Sequence, residues 1–371
     1  MTQKKKDEEE VEWMPLERMD TPLVSDIPLD ELTQALVEPF DYSTEDAELF
    51  YPYKLPLDFP KDFGVGIIVG ASGTGKSTLL SEFGEPVFPK WEPDTTIASH
   101  FSDPTDANER LSAAGLMSVP DWVKPFSVLS NGQKFRANLA RQLINNAVID
   151  EYTSVVDRNV AKAASAGLAR YVRKNGVSGI VLATVHRDII EYLEPDWIID
   201  TDRGVWTSGR WLHRPDLVLK VQPCDRALWS HFAQHHYLAN SLNPSARCYM
   251  ATWEGQLVGF VATMSYPSGS VQNAFREHRL VIHPDYQGLG IGPRLSEAIA
   301  QVYIDNGKRY FSKTSHPRLG EYRDQSKKWK GTSKNHMKRK DGQNLDGAQR
   351  WAIDPKRWSY SHEYIGENSG L

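Results

Sequence analysis

Short apolar runs alternate with helical periodicities along this 371-residue chain, and the pattern changes character past its middle. Val65-Gly66-Ile67-Ile68-Val69 and residues 179–184 read as strands, and residues 147–149 as a third that ends in Asp150-Glu151. Runs this apolar belong to buried strands. Residues 134–143 are strongly helical, and Thr78-Leu79-Leu80 opens another helix. Before these, a short amphipathic helix around residues 29–37 gives way to Phe50-Tyr51-Pro52-Tyr53 and Leu57-Asp58-Phe59-Pro60, which suit extended structure. A new helical pattern begins at Asp225. Residues 247–253 and 257–264 are then strand-like runs joined by Glu254-Gly255-Gln256, a hairpin signal. Residues 277–284 read as a strand and 293–306 as a helix.

Turn residues and Pro215 between positions 203 and 223 place a domain boundary there. The expected layout is a charged, disordered tail over 1–25, an α/β domain over 26–215, an α+β domain over 216–320, and a basic and aromatic extension over 321–371. The length is about twice a usual domain, and 40% hydrophobic residues are ample for two cores. A net charge of -5 hides local asymmetry, since Lys4-Lys5-Lys6 is followed by Asp7-Glu8-Glu9-Glu10 and a basic stretch lies near the other end. Whole-chain charge therefore names no partner. Two cysteines, Cys224 and Cys248, exclude a disulfide framework or a Cys-rich metal site and fit a reducing cytosol. No signal peptide and no bilayer-spanning apolar run is read, so a cytoplasmic protein without a membrane partner is expected.

Gly70-Ala71-Ser72-Gly73-Thr74-Gly75-Lys76-Ser77-Thr78 lies between a strand and a helix, the order that a phosphate-cradling loop requires. Its glycines let backbone N–H groups converge on a phosphate, Lys76 reaches the outer phosphates, and the Ser77 hydroxyl can ligate Mg²⁺. Downstream follow Val128-Leu129-Ser130-Asn131-Gly132-Gln133, then Asp150-Glu151, Ser154-Val155-Val156-Asp157, and a lone His186 after a strand. This order resembles the ABC-type ATPase family, with its P-loop, signature, Walker B, D-loop and switch histidine, over about residues 63–202.

The resemblance implies ATP binding and hydrolysis with Mg²⁺. Asp150 and Ser77 would serve the metal, Glu151 would polarise the attacking water as general base, and His186 would contact the γ-phosphate. In that family Ser130, Gly132 and Gln133 bind ATP held by a second cassette, so one cassette per chain implies a homodimer closed by ATP. Asn131 departs from the family pattern, and Ser99-His100 is the nearest candidate for the missing glutamine switch. The short region between loop and signature implies a reduced helical arm. Tyr51 or Tyr53 is a candidate for stacking on adenine, with plain packing as the alternative.

The second glycine loop, Gln287-Gly288-Leu289-Gly290-Ile291-Gly292, follows a strand and opens a helix. Hairpin, strand, loop and helix in this order resemble the GNAT acyltransferase family, whose loop of this kind binds the pyrophosphate of acetyl-CoA or another acyl-CoA. Val281 and Ile282 would flank the thioester. Glu277 and His283 are candidate bases and Tyr310 and Tyr322 candidate acids, each with a packing role as the alternative. His231, His235 and His236 have metal-ligand spacing, but an amphipathic helix over 229–238 is the preferred reading.

Residues 318–340 carry Arg318, Arg323, Lys327, Lys328, Lys330, Lys334, Lys338, Arg339 and Lys340 with Trp329 and His336 interleaved. Such a segment suits a nucleic-acid backbone with stacked bases, or else a solvated charged face. The aromatic stretch 351–364 is expected to pack back on the second domain. Together these features suggest ATP-driven closure coupled to acyl transfer onto a nucleic acid; phage enzymes of the Mom type share the domain class of the second half. An ATP-regulated protein or small-molecule N-acetyltransferase and a non-catalytic ATP-gated assembly module are the alternatives.

Overall fold

The computed structural model describes residues 12–23, 30–40, 49–209, 216–236, 241–266, 271–338 and 358–366. One unit comprises Met1–Leu116 with Val123–Pro215, the other Met117–Trp122 with Asp216–Leu371.

In the first unit, β1 (Met14–Pro15), α1 (Glu31–Val37), β2 (Val65–Val69), α2 (Lys76–Leu80) and α3 (Pro104–Ala113) come first. After α4 (Val119–Trp122), which clusters with the other unit, follow α5 (Asn131–Gln142), β3 (Val148–Ile149), α6 (Arg158–Asn175), β4 (Ile180–Thr184), α7 (Ile190–Leu193), β5 (Trp197–Asp200) and β6 (Val205–Ser208). The sheet order is β1-β6-β5-β2-β4-β3, with β5, β2, β4 and β3 parallel and β6 and β1 antiparallel. Every residue of β2, β4 and β5 is buried, which is why these strands read as unbroken apolar runs.

Trp197 is the hub of this core. Phe59, Phe63 and Phe83 lie 4.9, 5.3 and 5.3 Å from its ring. Phe59, read from sequence only as extended structure, is itself buried, and burying one such ring contributes about 1.5–3 kcal/mol. The disordered tail expected over 1–25 needs correction where it is described: Met14 and Pro15 pair with Trp206 and Val205, and Leu16 is buried in the core, while residues 1–11, 24 and 25 lie outside the described residues. Its apolar side chains outweigh the charged neighbours that dominated the sequence reading.

The second unit contains β7 (Lys220–Pro223), α8 (Trp229–Ala233), β8 (Arg247–Trp253), β9 (Gln256–Ser265), β10 (Ala274–Ile282), α9 (Ile291–Asp305), β11 (Arg309–Thr314), α10 (Pro317–Gln325), β12 (Trp329–Gly331), β13 (Met337–Lys338) and β14 (Trp358–Tyr364). Its sheet order is β12-β14-β11-β10-β9-β8-β7, with β13 on β14. Phe275, Tyr310, Tyr364 and Trp329 are cross-strand neighbours, and Tyr303 of α9 packs on Phe275 and Tyr310 at 4.5 and 5.5 Å. On the other face Trp229 and Phe232 of α8 pack with Cys248, Phe260, Ala262 and Val281. Among the described residues only β10 and β11 are parallel neighbours in this sheet, and their pairing covers residues 274–276 and 309–311. Beyond that short contact the two strands part.

Candidate functional site

Chemistry-bearing side chains gather in two places, one in each unit. In the first, the chain leaves β2 through Gly70 and enters α2 at Lys76. Gly75 caps the helix with φ 90°, and a Cβ there would sit 2.5 Å from the Phe50 ring. Both the left-handed backbone and the contact demand glycine. The loop is braced from below: the Ala71 N–H donates to Asp202 at 2.8 Å, and the Thr74 hydroxyl meets that of Thr201 at 2.7 Å. Asp202 is held in turn by Arg187, which also grips Asp200.

Ser77 Oγ donates to Asp150 Oδ2 at 2.7 Å, and the Glu151 N–H donates to Asp150 Oδ1 at 2.7 Å. Glu151 follows with φ 49°, a conformation unusual for a side-chain-bearing residue. Thr184 at the end of β4 ties this turn to the next one: its hydroxyl donates to the Tyr152 carbonyl at 2.7 Å and accepts the His186 N–H at 3.1 Å. His186 Nδ1 lies 3.3 Å from the Thr153 hydroxyl. Burial, and then the charge of Arg158, lower the His186 pKa. Burial likewise lowers that of Lys76, whose ammonium donates to the Ala71 carbonyl within the loop.

Ser130 and Gln133 form a capping box at the start of α5, the Ser130 N–H donating to Gln133 Oε1 at 2.9 Å. Gly132 lies between them, its carbonyl accepting from buried Arg136 at 3.1 Å. Two sequence candidates are corrected. Tyr53 is buried, with the Arg18 guanidinium 4.4 Å over its ring, so it cannot stack on a base. Phe50, which no sequence signal distinguished from its aromatic neighbours, is the ring against the glycine loop. His100 is held on both nitrogens, Nε2 accepting from the Glu92 N–H at 3.0 Å and Nδ1 lying 2.9 Å from the Thr96 carbonyl. That leaves it no lone pair for a metal-sensing role.

In the second unit, a bulge between Glu277 and Arg279 interrupts the pairing of β10 with β9. The cleft where β10 leaves β11 is bordered by Leu280, Val281 and Ile282 on one strand and Ser312 to Thr314 on the other. Gln287 Nε2 donates to the Ile282 carbonyl at 2.9 Å, fixing the glycine loop to the end of β10. Gly288 and Gly290 have φ of 92° and 78°, and a Cβ on Gly290 would meet nothing within 4 Å. There is room in front of the α9 N-terminus, where Leu289 and Ile291 are buried beneath the loop and Gly292 rests on Ile282. Amides at such an end favour an anion.

The acid and base candidates fare differently. Glu277 accepts from Ser296 at 2.6 Å, from Ser312 at 3.1 Å and from Arg323 at 3.2 Å, with Arg323 fully buried. A carboxylate so engaged is a structural anchor, not a mobile base. Sequence reading missed Arg323 as its partner because it stands in a run of surface-type cations. His283 Nδ1 lies 3.4 Å from the Asp285 N–H and 3.6 Å from the Asp285 carboxylate. Tyr310 is wholly buried, its hydroxyl has no hydrogen-bond partner among the described residues, and burial raises its pKa well above the ordinary value; a hydroxyl closed off from solvent in this way suits a packing role. The Tyr322 hydroxyl donates to Glu297 at 2.8 Å, and burial followed by that carboxylate pushes its pKa up to about 12.

Among the described residues no group of three His, Cys, Asp or Glu side chains is placed to hold a metal ion. The helix expected over 229–238 ends at Ala233, and residues 237–240 lie outside the described residues. The basic stretch is also less open than its composition suggests. Trp329 is buried with Nε1 donating to Glu297 at 3.2 Å, Lys328 faces Glu297 at 3.5 Å, and His336 bonds Asp324 at 2.9 Å. Arg339 and Lys340 lie outside the described residues. No helix among the described residues is long and apolar enough to cross a membrane.

Residues 211–322 match the acetyltransferase (GNAT) family, and this part of the chain is a GNAT acetyltransferase domain. Among solved structures, the chain is similar to the ribosomal-protein-S18-alanine N-acetyltransferase of Escherichia coli at 15% identity, covering 42% of this chain and 100% of that one, with a TM-score of 0.29. A Bacillus subtilis acetyltransferase in complex with CoA aligns at 12% identity over 41% of this chain and 100% of its own, TM-score 0.29. A dimeric bacterial ABC transporter cassette aligns at 18% identity over 42% and 88%, TM-score 0.32. No curated protein matches the chain significantly.

Proposed function

We propose that the chain joins an ATP-hydrolysing ABC-type cassette to an acyltransferase that uses acetyl-CoA or another acyl-CoA, with a nucleic acid as acceptor. The observation that carries the first half is the convergence of Ser77, Asp150, Glu151 and His186 at the ends of three adjacent strands. Ser77 Oγ and Asp150 Oδ2, 2.7 Å apart, are the hard oxygen donors that Mg²⁺ prefers. When bound, that ion would neutralise charge on the β- and γ-phosphates. Lys76 would bind the same phosphates, Phe50 would meet the adenine, and Glu151 would take a proton from the attacking water. Neutral His186 would donate to the γ-phosphate from the nitrogen that does not face Thr153.

Exposed apolar side chains stand next to these motifs along the chain. Val128, Val155 and Val185, beside the capping box, in the 154–157 turn and next to His186, are exposed by 64%, 65% and 48%. These exposed side chains would be covered in the ATP-closed homodimer, which is part of this reading.

For the second half, the glycine loop would take the pyrophosphate and the β10–β11 cleft the thioester arm. In the transfer, the acceptor nitrogen would attack the thioester carbonyl carbon, the C–S bond would break, the nitrogen would give its proton to water, and the sulfur would leave as a thiolate that takes a proton back from water to give the CoA thiol. The direct test supplies purified full-length protein with ATP, Mg²⁺, acetyl-CoA and nucleic acid, and follows phosphate and thiol release together. Thiol release that needs nucleic acid and rises with ATP is expected. Release driven by a protein or small amine alone would replace the acceptor, and absent phosphate release would remove the ATPase.

A further inference from the structure

The sheet face opposite α9 carries a row that composition did not single out. Met264, Arg276, Phe311, Glu363 and Lys330 are direct cross-strand partners from β9 through β10, β11 and β14 to β12. They alternate with the buried row under Tyr303, so they lie on the other face. Tyr266 and Arg309 belong to the next row of that face, and Lys313 and Ser361 to the one on its other side. Tyr266 and Phe311 lie 5.3 Å apart, tilted by 46°. Each ring has a guanidinium beside it, Arg276 at 5.9 Å from Tyr266 and Arg309 at 5.0 Å from Phe311.

Among the described residues of these rows, Arg276, Arg309 and Lys330 accompany one carboxylate, that of Glu363, which Arg309 already holds at 2.6 and 2.8 Å. Arg309, Lys313 and Lys330 are exposed, and the two rings and Arg276 are half-buried. An acidic protein would find the charge but no use for two rings with adjacent guanidinium planes. Unstacked bases use both, stacking on aromatic and arginine surfaces while the backbone runs along cations. The pairing Arg276 with Phe311 is moreover the last before β10 and β11 part. A strand lying on this row therefore passes the apex of the cleft.

We infer that this row, and not the 318–340 segment as a whole, is the docking surface for a single-stranded nucleic acid, whose bases stack at Tyr266 and Phe311. The inference rests on the proposed acyltransferase reading, in which that strand is the acceptor. Fluorescence anisotropy of labelled single-stranded DNA and RNA oligonucleotides with the full chain tests it, with acetyl-CoA binding measured by calorimetry on the same samples. Binding is expected, weakening with salt with a log–log slope of about -0.7 per phosphate contacted. Phe311→Leu should weaken it by about 5- to 100-fold through lost stacking. Arg276→Gln and Lys330→Gln should each reduce the salt slope by about 0.7. All three variants should bind acetyl-CoA as wild type does, which reports that the fold is kept. Acetyl-CoA binding without oligonucleotide binding, or oligonucleotide binding indifferent to all three substitutions, overturns the docking surface alone. Polyglutamate binding in place of oligonucleotide binding assigns the surface to an acidic protein and overturns it equally. Failure of wild type to bind acetyl-CoA instead overturns the acyltransferase reading beneath it.

Discussion

Ser77 donates a 2.7 Å hydrogen bond to Asp150, joining the loop after β2 to the end of β3 across 73 positions of chain. Neither β2 nor β3 pairs with the other, since β4 lies between them. The bond therefore closes a ring of loops at one end of the sheet, and Thr184 on β4 completes it through Tyr152 and His186.

Replacing Glu151 separates binding from hydrolysis at this ring. Its side chain is exposed, so Glu151→Gln should leave the fold and ATP affinity intact. Steady-state phosphate release should fall by about 10²- to 10⁴-fold, the usual worth of a positioned base. An unchanged rate would move the base elsewhere.

Breaking the buried pair in the second unit should cost far more stability than any surface ion pair. Arg323 and Glu277 side chains are 1% and 7% exposed. Arg323→Met leaves a buried carboxylate uncompensated, and chemical denaturation should show a loss of about 3–5 kcal/mol. Pairing it with Glu277→Leu should recover much of that loss. A double variant no better than the single would mean that Ser296 and Ser312 need the carboxylate for their own hydrogen bonds.

What the sequence revealed and what it hid follow from range. The glycine loops and the hairpin at Glu254-Gly255-Gln256 are set by neighbouring residues, and the runs that became β2, β4, β8 and β9 carry their burial in their own periodicity. The partner of Glu277 lies 46 positions away, so nothing local distinguished Arg323 from the exposed lysines around it. Trp329 was read as a stacking surface from its basic neighbours, yet Tyr364 packs on it at 5.0 Å from a strand more than thirty residues later. Phe50 and Tyr53 differ only in where the backbone turns them, and sequence spacing does not encode that.

Acid should loosen the second unit through two histidines. Burial, then neighbouring arginine charge, lowers the pKa of His236 and of His278 from 6.5 to about 4. In the unfolded chain both take up protons near pH 6.5, whereas the folded chain resists until about 4. The unfolded state thus binds more protons in that window, and stability falls as the pH drops from about 6.5 toward 4. The Trp229 ring lies 5.7 Å from His236 and should report the change in fluorescence. His278→Gln should flatten the profile; an identical profile would place the acid sensitivity in other groups.

Gly290 offers a clean block of the second loop. Its φ of 78° and the open space before it mean that Gly290→Asp adds strain and negative charge where a pyrophosphate would sit. Calorimetry should show acetyl-CoA affinity lost, with phosphate release from ATP unaffected. Retained affinity would detach the ligand from this loop.

The central claim, that ATP hydrolysis at one site drives acyl transfer to nucleic acid at the other, is tested most directly by mass spectrometry. Nucleic acids and proteins from cells expressing wild type, Glu151→Gln or Gly290→Asp would be compared for acyl mass increments. The account predicts an acyl increment on nucleic acid with wild type that disappears with both variants. An increment confined to protein, or one that persists in either variant, contradicts it.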